Sequence, residues 1–121
     1  MQYLLLIYSE PGRWESLSDD ERSAMYAEYG RLSQELRERN AYVDGSELQE
    51  ASTATTVRVR EGEATITDGP FAETKEALGG YYLIEADSLD EAIEWAGKIP
   101  SARHGAVEIR PVVMREAEVS A

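Results

Sequence analysis

The sequence predicts an α+β fold in one domain: two β-α-β halves with a β-hairpin inserted between them. Three observations carry this. Two serine-led helix starts each precede an amphipathic run. Four apolar, β-prone runs flank those helices, and one pair of alternating segments surrounds a Glu-Gly dipeptide.

Tyr3 to Tyr8 is apolar and too short for a helix, which makes it the first strand. Ser18-Asp19-Asp20-Glu21 has capping-box spacing, with the serine hydroxyl set to accept from the first-turn amides and the glutamate to reach back. Met25, Tyr29, Leu32 and Leu36 then recur at intervals of four, three and four, so a helix is expected from Asp19 to Arg39, stopped by Asn40. Tyr42 to Leu48 resumes an extended pattern, with Gly45 the expected bulge. Thr55 to Arg60 and Glu63 to Thr67 alternate polar and apolar residues about Glu61-Gly62, the signature of a two-residue hairpin turn. After Gly79-Gly80 a strand is expected over Tyr81 to Glu85. Ser88-Leu89-Asp90-Glu91 repeats the capping-box spacing before a second helix, which reaches Lys98 and is closed by Pro100. Val107 to Val113 is the last strand, and Pro111, which has no amide hydrogen, assigns it to an edge or a strand end. The tail over residues 116–121 is expected to be flexible, leaving a domain over residues 1–115.

This order is that of a ferredoxin-like sandwich with an inserted hairpin. Two helices cover only one face of its sheet. Yet Tyr3-Leu4-Leu5-Leu6-Ile7-Tyr8 and Tyr81-Tyr82-Leu83-Ile84 are apolar at successive positions, so both faces call for burial, and a homodimer that buries the second face is expected.

Composition narrows the chemistry. At 121 residues and 42% hydrophobic content the chain suits one globular core. Twenty-four acids against twelve bases give a net charge of −12, which argues against direct nucleic-acid binding and against anionic membrane surfaces. No run is long and apolar enough to span a bilayer, and the start lacks the marks of a signal peptide, so a cytoplasmic protein is expected. Without cysteine, and with His104 alone among histidines, thiol catalysis and multi-histidine metal centres within a subunit are excluded; no metal and no cofactor are expected.

Asp68-Gly69-Pro70-Phe71-Ala72-Glu73-Thr74-Lys75-Glu76 stands out as the candidate site. Gly69-Pro70 makes a stiff corner, and the nine residues together present three carboxylates and an ammonium. Phe71, the only phenylalanine, is expected to pin the segment to the core. Asp68 offers either a pocket carboxylate or an Asx turn. Glu73, Lys75 and Glu76 form either a ligand cradle or a charged skin. Tyr29 falls on the apolar stripe of the first helix, as a core or a pocket residue. His104 is the natural general base if the site is catalytic, and weak catalytic candidacy rests on it and Asp68. Arg110 suits an anionic ligand or a carboxylate partner such as Glu73.

The segment Asp68 to Glu76, with Gly79-Gly80-Tyr81-Tyr82 and Gly105-Ala106-Val107-Glu108-Ile109-Arg110-Pro111-Val112, resembles the DGPF family of YCII-related proteins over Met1 to Met114. The resemblance implies a dimeric α/β-barrel variant of the ferredoxin-like fold. It also implies an association of relatives with extracytoplasmic-function sigma factors. Some members of the wider group carry a histidine in the first helix and an aspartate near the end of the second. Here those regions read Glu28-Tyr29 and Lys98-Ile99-Pro100, so a histidine–aspartate mechanism does not carry over. The function expected is that of a dimeric small-molecule-binding protein or cofactor-independent enzyme, with its pocket near the Asp68 loop. The alternative is a non-enzymatic interaction or regulatory module with a protein partner.

Overall fold

The computed structural model describes residues 1–72 and 74–115. Its elements are β1 (Gln2–Ser9), α1 (Arg13–Ser16), α2 (Asp19–Glu38), β2 (Tyr42–Glu47), β3 (Thr55–Arg60), β4 (Glu63–Asp68), β5 (Ala77–Glu85), α3 (Leu89–Gly97) and β6 (Ala106–Pro111). Four strands form an antiparallel sheet in the order β2-β5-β1-β6, and among the described residues β3 pairs with β4 alone. This is the ferredoxin-like arrangement with the hairpin inserted between its second and third sheet strands.

Local chemistry explains the boundaries of α2. The Ser18 hydroxyl accepts from the Glu21 amide at 3.1 Å while the Glu21 carboxylate accepts from the Ser18 amide at 2.9 Å, completing the capping box. At the other end Asn40 adopts φ 56°, and the Asn40 and Ala41 amides return to the carbonyls of Arg37 and Leu36 at 3.0 and 2.8 Å. That pairing closes the helix in a Schellman motif. The second box is split: Ser88 accepts from the Glu91 amide, but the Glu91 carboxylate takes the Asp87 amide instead of that of Ser88.

Tyr3, Leu5 and Ile7 of β1, with Tyr82 and Ile84 of β5, turn one face of the sheet toward the helices. Leu32 and Leu36 of α2 and Ala92, Trp95 and Ala96 of α3 close over it, and Ile99 is fully buried between them. On the opposite face Leu4 lies across from Leu83 and Leu6 across from Tyr81, all half-buried in the protomer. Polar groups rim that face: the Tyr81 hydroxyl donates to Asp44 at 3.3 Å, and Glu108 receives Tyr8 at 3.2 Å and Arg110 at 3.1 Å.

Four details differ from the sequence reading. The short α1 was not anticipated, since four residues hold too little periodicity to register. Strand β5 starts at Ala77, four residues earlier than expected, because its pairing passes through Gly79-Gly80 with a register shift opposite Ile7/Tyr8. A Cβ at Gly80 would stand 2.9 Å from the Ser46 carbonyl oxygen, so the absence of a side chain there lets β2 and β5 pair closely. The β2 irregularity falls between Tyr42 and Asp44, not at Gly45, and β6 ends at Pro111. Pro111 does lie on an edge strand.

The hairpin turn is as expected: Glu61 and Gly62 both take positive φ, 53° and 81°, the conformation of a two-residue turn matched to strand twist. Gly69 adopts φ 99°; its amide donates to the Ala54 carbonyl at 2.7 Å, and its carbonyl accepts from the Thr56 hydroxyl at 2.8 Å. The Asp-Gly-Pro corner is thus tied to the base of β3 by polar contacts. Phe71 does not anchor it, being 77% exposed in the protomer.

Candidate functional site

A cavity of about 660 Å³ opens between the middle of α2, the short α1 and the end of the sheet formed by β2, β5 and β1. That volume lies within the range of small-molecule sites. Helical spacing builds one wall. Tyr26, Tyr29 and Ser33 follow one another at intervals of three and four along α2 and all line the space. Tyr42 and Tyr82 enter from β2 and β5, and Trp14 from α1. The rings support each other: Tyr29 stacks on Tyr82 with centroids 6.5 Å apart, Tyr42 meets Tyr82 edge-on at 6.3 Å, and Trp14 meets Tyr26 edge-on at 5.0 Å.

Two hydroxyl pairs are embedded among these rings. Tyr29 and Ser101 approach to 2.8 Å, and Ser33 and Tyr82 to 2.9 Å. Burial pushes the Tyr29 and Tyr82 phenols above the ordinary value of 10.0; the hydrogen bonds to Ser101 and Ser33 offset part of that rise. Both phenols therefore stay protonated at neutral pH. They can donate or accept hydrogen bonds, and neither is a phenolate base.

The rim is ionic. Arg13, Glu15, Glu47, Glu50 and His104 all border the cavity. Tyr26 donates to Glu47 at 3.3 Å. The Glu50 carboxyl is pushed up by desolvation and then by the neighbouring Glu15 carboxylate. Among the described residues, no group of three histidine, aspartate or glutamate side chains converges as a metal site.

Of the residues singled out from sequence, Tyr29 and His104 line this cavity, and Ser101 connects them: its hydroxyl pairs with Tyr29 and its carbonyl accepts the His104 amide at 3.1 Å. The cavity wall leaves the chain at Thr53 and rejoins it at Gly79, so the hairpin and the loop after it spring from the rim without lining the space. Asp68 sits opposite Thr55 at the end of the hairpin ladder. Phe71 and Lys75 are exposed. Glu76 is half-buried, its Oε2 shut from solvent with no hydrogen-bond partner among the described residues, and its carbonyl accepts from the Thr74 hydroxyl. Arg110 is on the open face of the sheet, paired with Glu108. Glu73 and the tail over residues 116–121 lie outside the described residues.

Sequence reasoning passed over Trp14, Tyr26, Ser33, Tyr42, Tyr82 and Ser101. One signal was available. Tyr26-x-x-Tyr29-x-x-x-Ser33 is a hydroxyl-bearing helical stripe beside the apolar one, in a chain with seven tyrosines.

Comparison with known proteins places the chain. It is 33% identical over 116 residues to Uncharacterized protein R00369 of Rhizobium meliloti (strain 1021), the match covering 94% of each chain. The YCII-related domain model matches residues 1–116. The protein therefore belongs to the YCII-related domain family.

Proposed function

We propose that this protein is a homodimeric, cytoplasmic small-molecule-binding protein whose site is the tyrosine-lined cavity. The observation that carries this reading is the cavity itself, at about 660 Å³, with the Tyr29–Ser101 and Ser33–Tyr82 pairs set into aromatic walls. Such a lining combines apolar area with a few oriented polar groups, the combination that gives a ligand both affinity and register. Binding has more support than turnover, because the deep hydroxyls are neutral. A cofactor-independent acid–base reaction would draw on His104 at the rim as its proton carrier. Dimerisation is supported by the apolar centre of the open sheet face, formed by Leu4, Leu6, Tyr81 and Leu83.

The test fills the cavity. Ser33→Trp should abolish the thermal shifts that a library of drug-sized compounds gives with the wild-type protein, while circular dichroism stays unchanged. Equal shifts in both proteins, or no hits with the wild type, would reject the assignment.

A second reading draws on the hairpin. Val57 and Val59 are each 58% exposed and Ile66 68%, with Phe71 beyond them at the corner. That apolar arm, followed by the charged segment through Asp68, Glu73, Lys75 and Glu76, supports the non-enzymatic alternative suggested by the DGPF resemblance, a module for a protein partner such as a regulator tied to extracytoplasmic-function sigma factors. Ile66→Ser with Phe71→Ser should then abolish pull-down of that partner without changing ligand binding in the cavity.

A further inference from the structure

The rim and walls of the cavity differ in kind, and together they discriminate by charge. Glu15 comes from α1, Glu47 from the end of β2 and Glu50 from the connection after it, so three separate stretches deliver carboxylates to one opening. Among the described residues none of the three is in an ion pair. Arg22, the nearby cation that could have neutralised Glu15, donates instead to the backbone carbonyls of Trp14 and Glu15 at 3.0 and 3.1 Å. Its guanidinium stands 5.6 Å from the centroid of Trp14, so that ring already takes a cation on one face. Among the described residues Arg13 is the one guanidinium on the rim, against three carboxylates. Within the cavity the neighbouring groups are tyrosine rings and neutral hydroxyls, which favour an apolar body.

We propose that the cavity selects small organic cations, aromatic or alkyl ammonium compounds, seating the ammonium group among Glu15, Glu47 and Glu50 and the apolar portion against Trp14, Tyr26 and Tyr29. This rests on the cavity being a binding site, as argued above. Like charges gathered at one opening repel one another and favour a cation between them; desolvation first and the neighbouring Glu15 second push the Glu50 carboxyl upward, in keeping with that. An ammonium group in the same place satisfies both with three N–H donors. An anionic ligand of equal shape meets the three carboxylates unfavourably, and a neutral one gains only the aromatic contact.

Three probes of one shape test this by calorimetry: phenethylammonium, 2-phenylethanol and phenylacetate. The expected order is the cation tightest by about tenfold over the alcohol, with phenylacetate weakest. In Glu15→Gln/Glu50→Gln the preference for the cation should shrink to about twofold while 2-phenylethanol binds as before; a melting curve matching the wild type establishes that the variant is folded. If the alcohol or phenylacetate binds as tightly as the cation, or if the cation preference survives in the double variant, charge selection is overturned and the cavity stands as a site of another class. Absence of binding by all three probes also overturns it. The cavity reading itself fails only if the wider compound library gives no shift that Ser33→Trp removes.

Discussion

The Tyr29–Ser101 pair offers the sharpest test of the cavity's construction, because it joins the middle of α2 to the turn after α3 across a separation of 72 residues. Tyr29→Phe removes the buried hydroxyl and leaves Ser101 half-buried beside the cavity, where water can replace the lost partner. A net loss of about 1 kcal/mol is expected. Ser101→Ala is the harsher change, since it strands a phenol that burial already affects, and should cost about 1–3 kcal/mol. The double variant loses both groups together, so its cost should fall short of the sum by about 1 kcal/mol. At an unfolding entropy scaled to 121 residues, each kcal/mol corresponds to about 4 °C in Tm. Urea unfolding of the four proteins measures the cycle. A second readout separates this bond from general packing: Ser101 draws the Tyr29 phenol down from where burial alone would set it, so Ser101→Ala should move a tyrosine ionisation to higher pH in ultraviolet titration. Costs that add within about 0.3 kcal/mol, together with an unmoved titration, would show that the two hydroxyls do not pair and that the cavity wall is held by packing alone.

Other consequences are simpler to state. Leu36→Ala, at a position 1% exposed between α2 and the sheet, should destabilise by about 2–5 kcal/mol in denaturant unfolding. Gly80→Ala should disrupt the β2–β5 edge, visible as faster amide exchange in Tyr42–Glu47 with the β1–β6 pairing unaffected, because the added Cβ meets the Ser46 carbonyl. Ser18→Ala should cost about 1 kcal/mol. Glu21's carboxyl lies below the ordinary 4.5, first because it accepts from the Ser18 backbone amide, which the variant keeps, and second through the Ser18 hydroxyl, which the variant loses, so the second contribution alone makes the difference pH-dependent. A lowered carboxyl contributes stability present above the unfolded value and lost as pH falls through the folded one, so the difference between wild type and variant should narrow in acid. The phenols run the other way. Tyr29 and Tyr82 lie above 10.0 in the folded state, so above pH 10.0 the unfolded chain gives up their protons first, and stability should fall with rising pH; the slope should flatten in Tyr29→Phe and Tyr82→Phe.

What could be read from the sequence was what neighbouring residues decide together. The Ser18 capping box, the Glu61-Gly62 turn, the stop at Asn40 and the edge placement of Pro111 are consequences of side chains meeting backbone within a few positions, and all four appear in the structure, while the Ser88 box forms only its serine half. Element order then leads to the sheet order, because few topologies accommodate two β-α-β halves. The cavity was hidden for the opposite reason. Trp14, Tyr29, Tyr42, Tyr82 and Ser101 belong to five separate stretches, and each alone looks like a core aromatic or a turn serine. Only the β2–β5 register, with Gly45 beneath the Tyr82 ring, brings Tyr42 and Tyr82 together at one end of the sheet.

The same distinction explains why the most eye-catching motif and the tyrosine-lined cavity are different places. Pro70 and the positive φ of Gly69 make a corner that is strong locally, and its hydrogen bonds to Ala54 and Thr56 end at the base of the hairpin. Among the described residues the hairpin pairs only with itself, and a two-stranded ribbon with one apolar face is marginal in water unless something covers it. The open face of the sheet has an uncovered apolar centre as well. Two such surfaces on one small chain are what a symmetric dimer would use, and if the hairpin belongs to that interface the motif's rigidity serves assembly rather than ligand chemistry. Leu83→Arg, on the open face, and Ile66→Arg, on the hairpin, separate the two contributions: sedimentation should show a monomer for the first if the sheet faces pack, and for the second as well only if the hairpin takes part. A dimer that survives both substitutions would place the interface elsewhere and leave the rigid corner without a role in assembly.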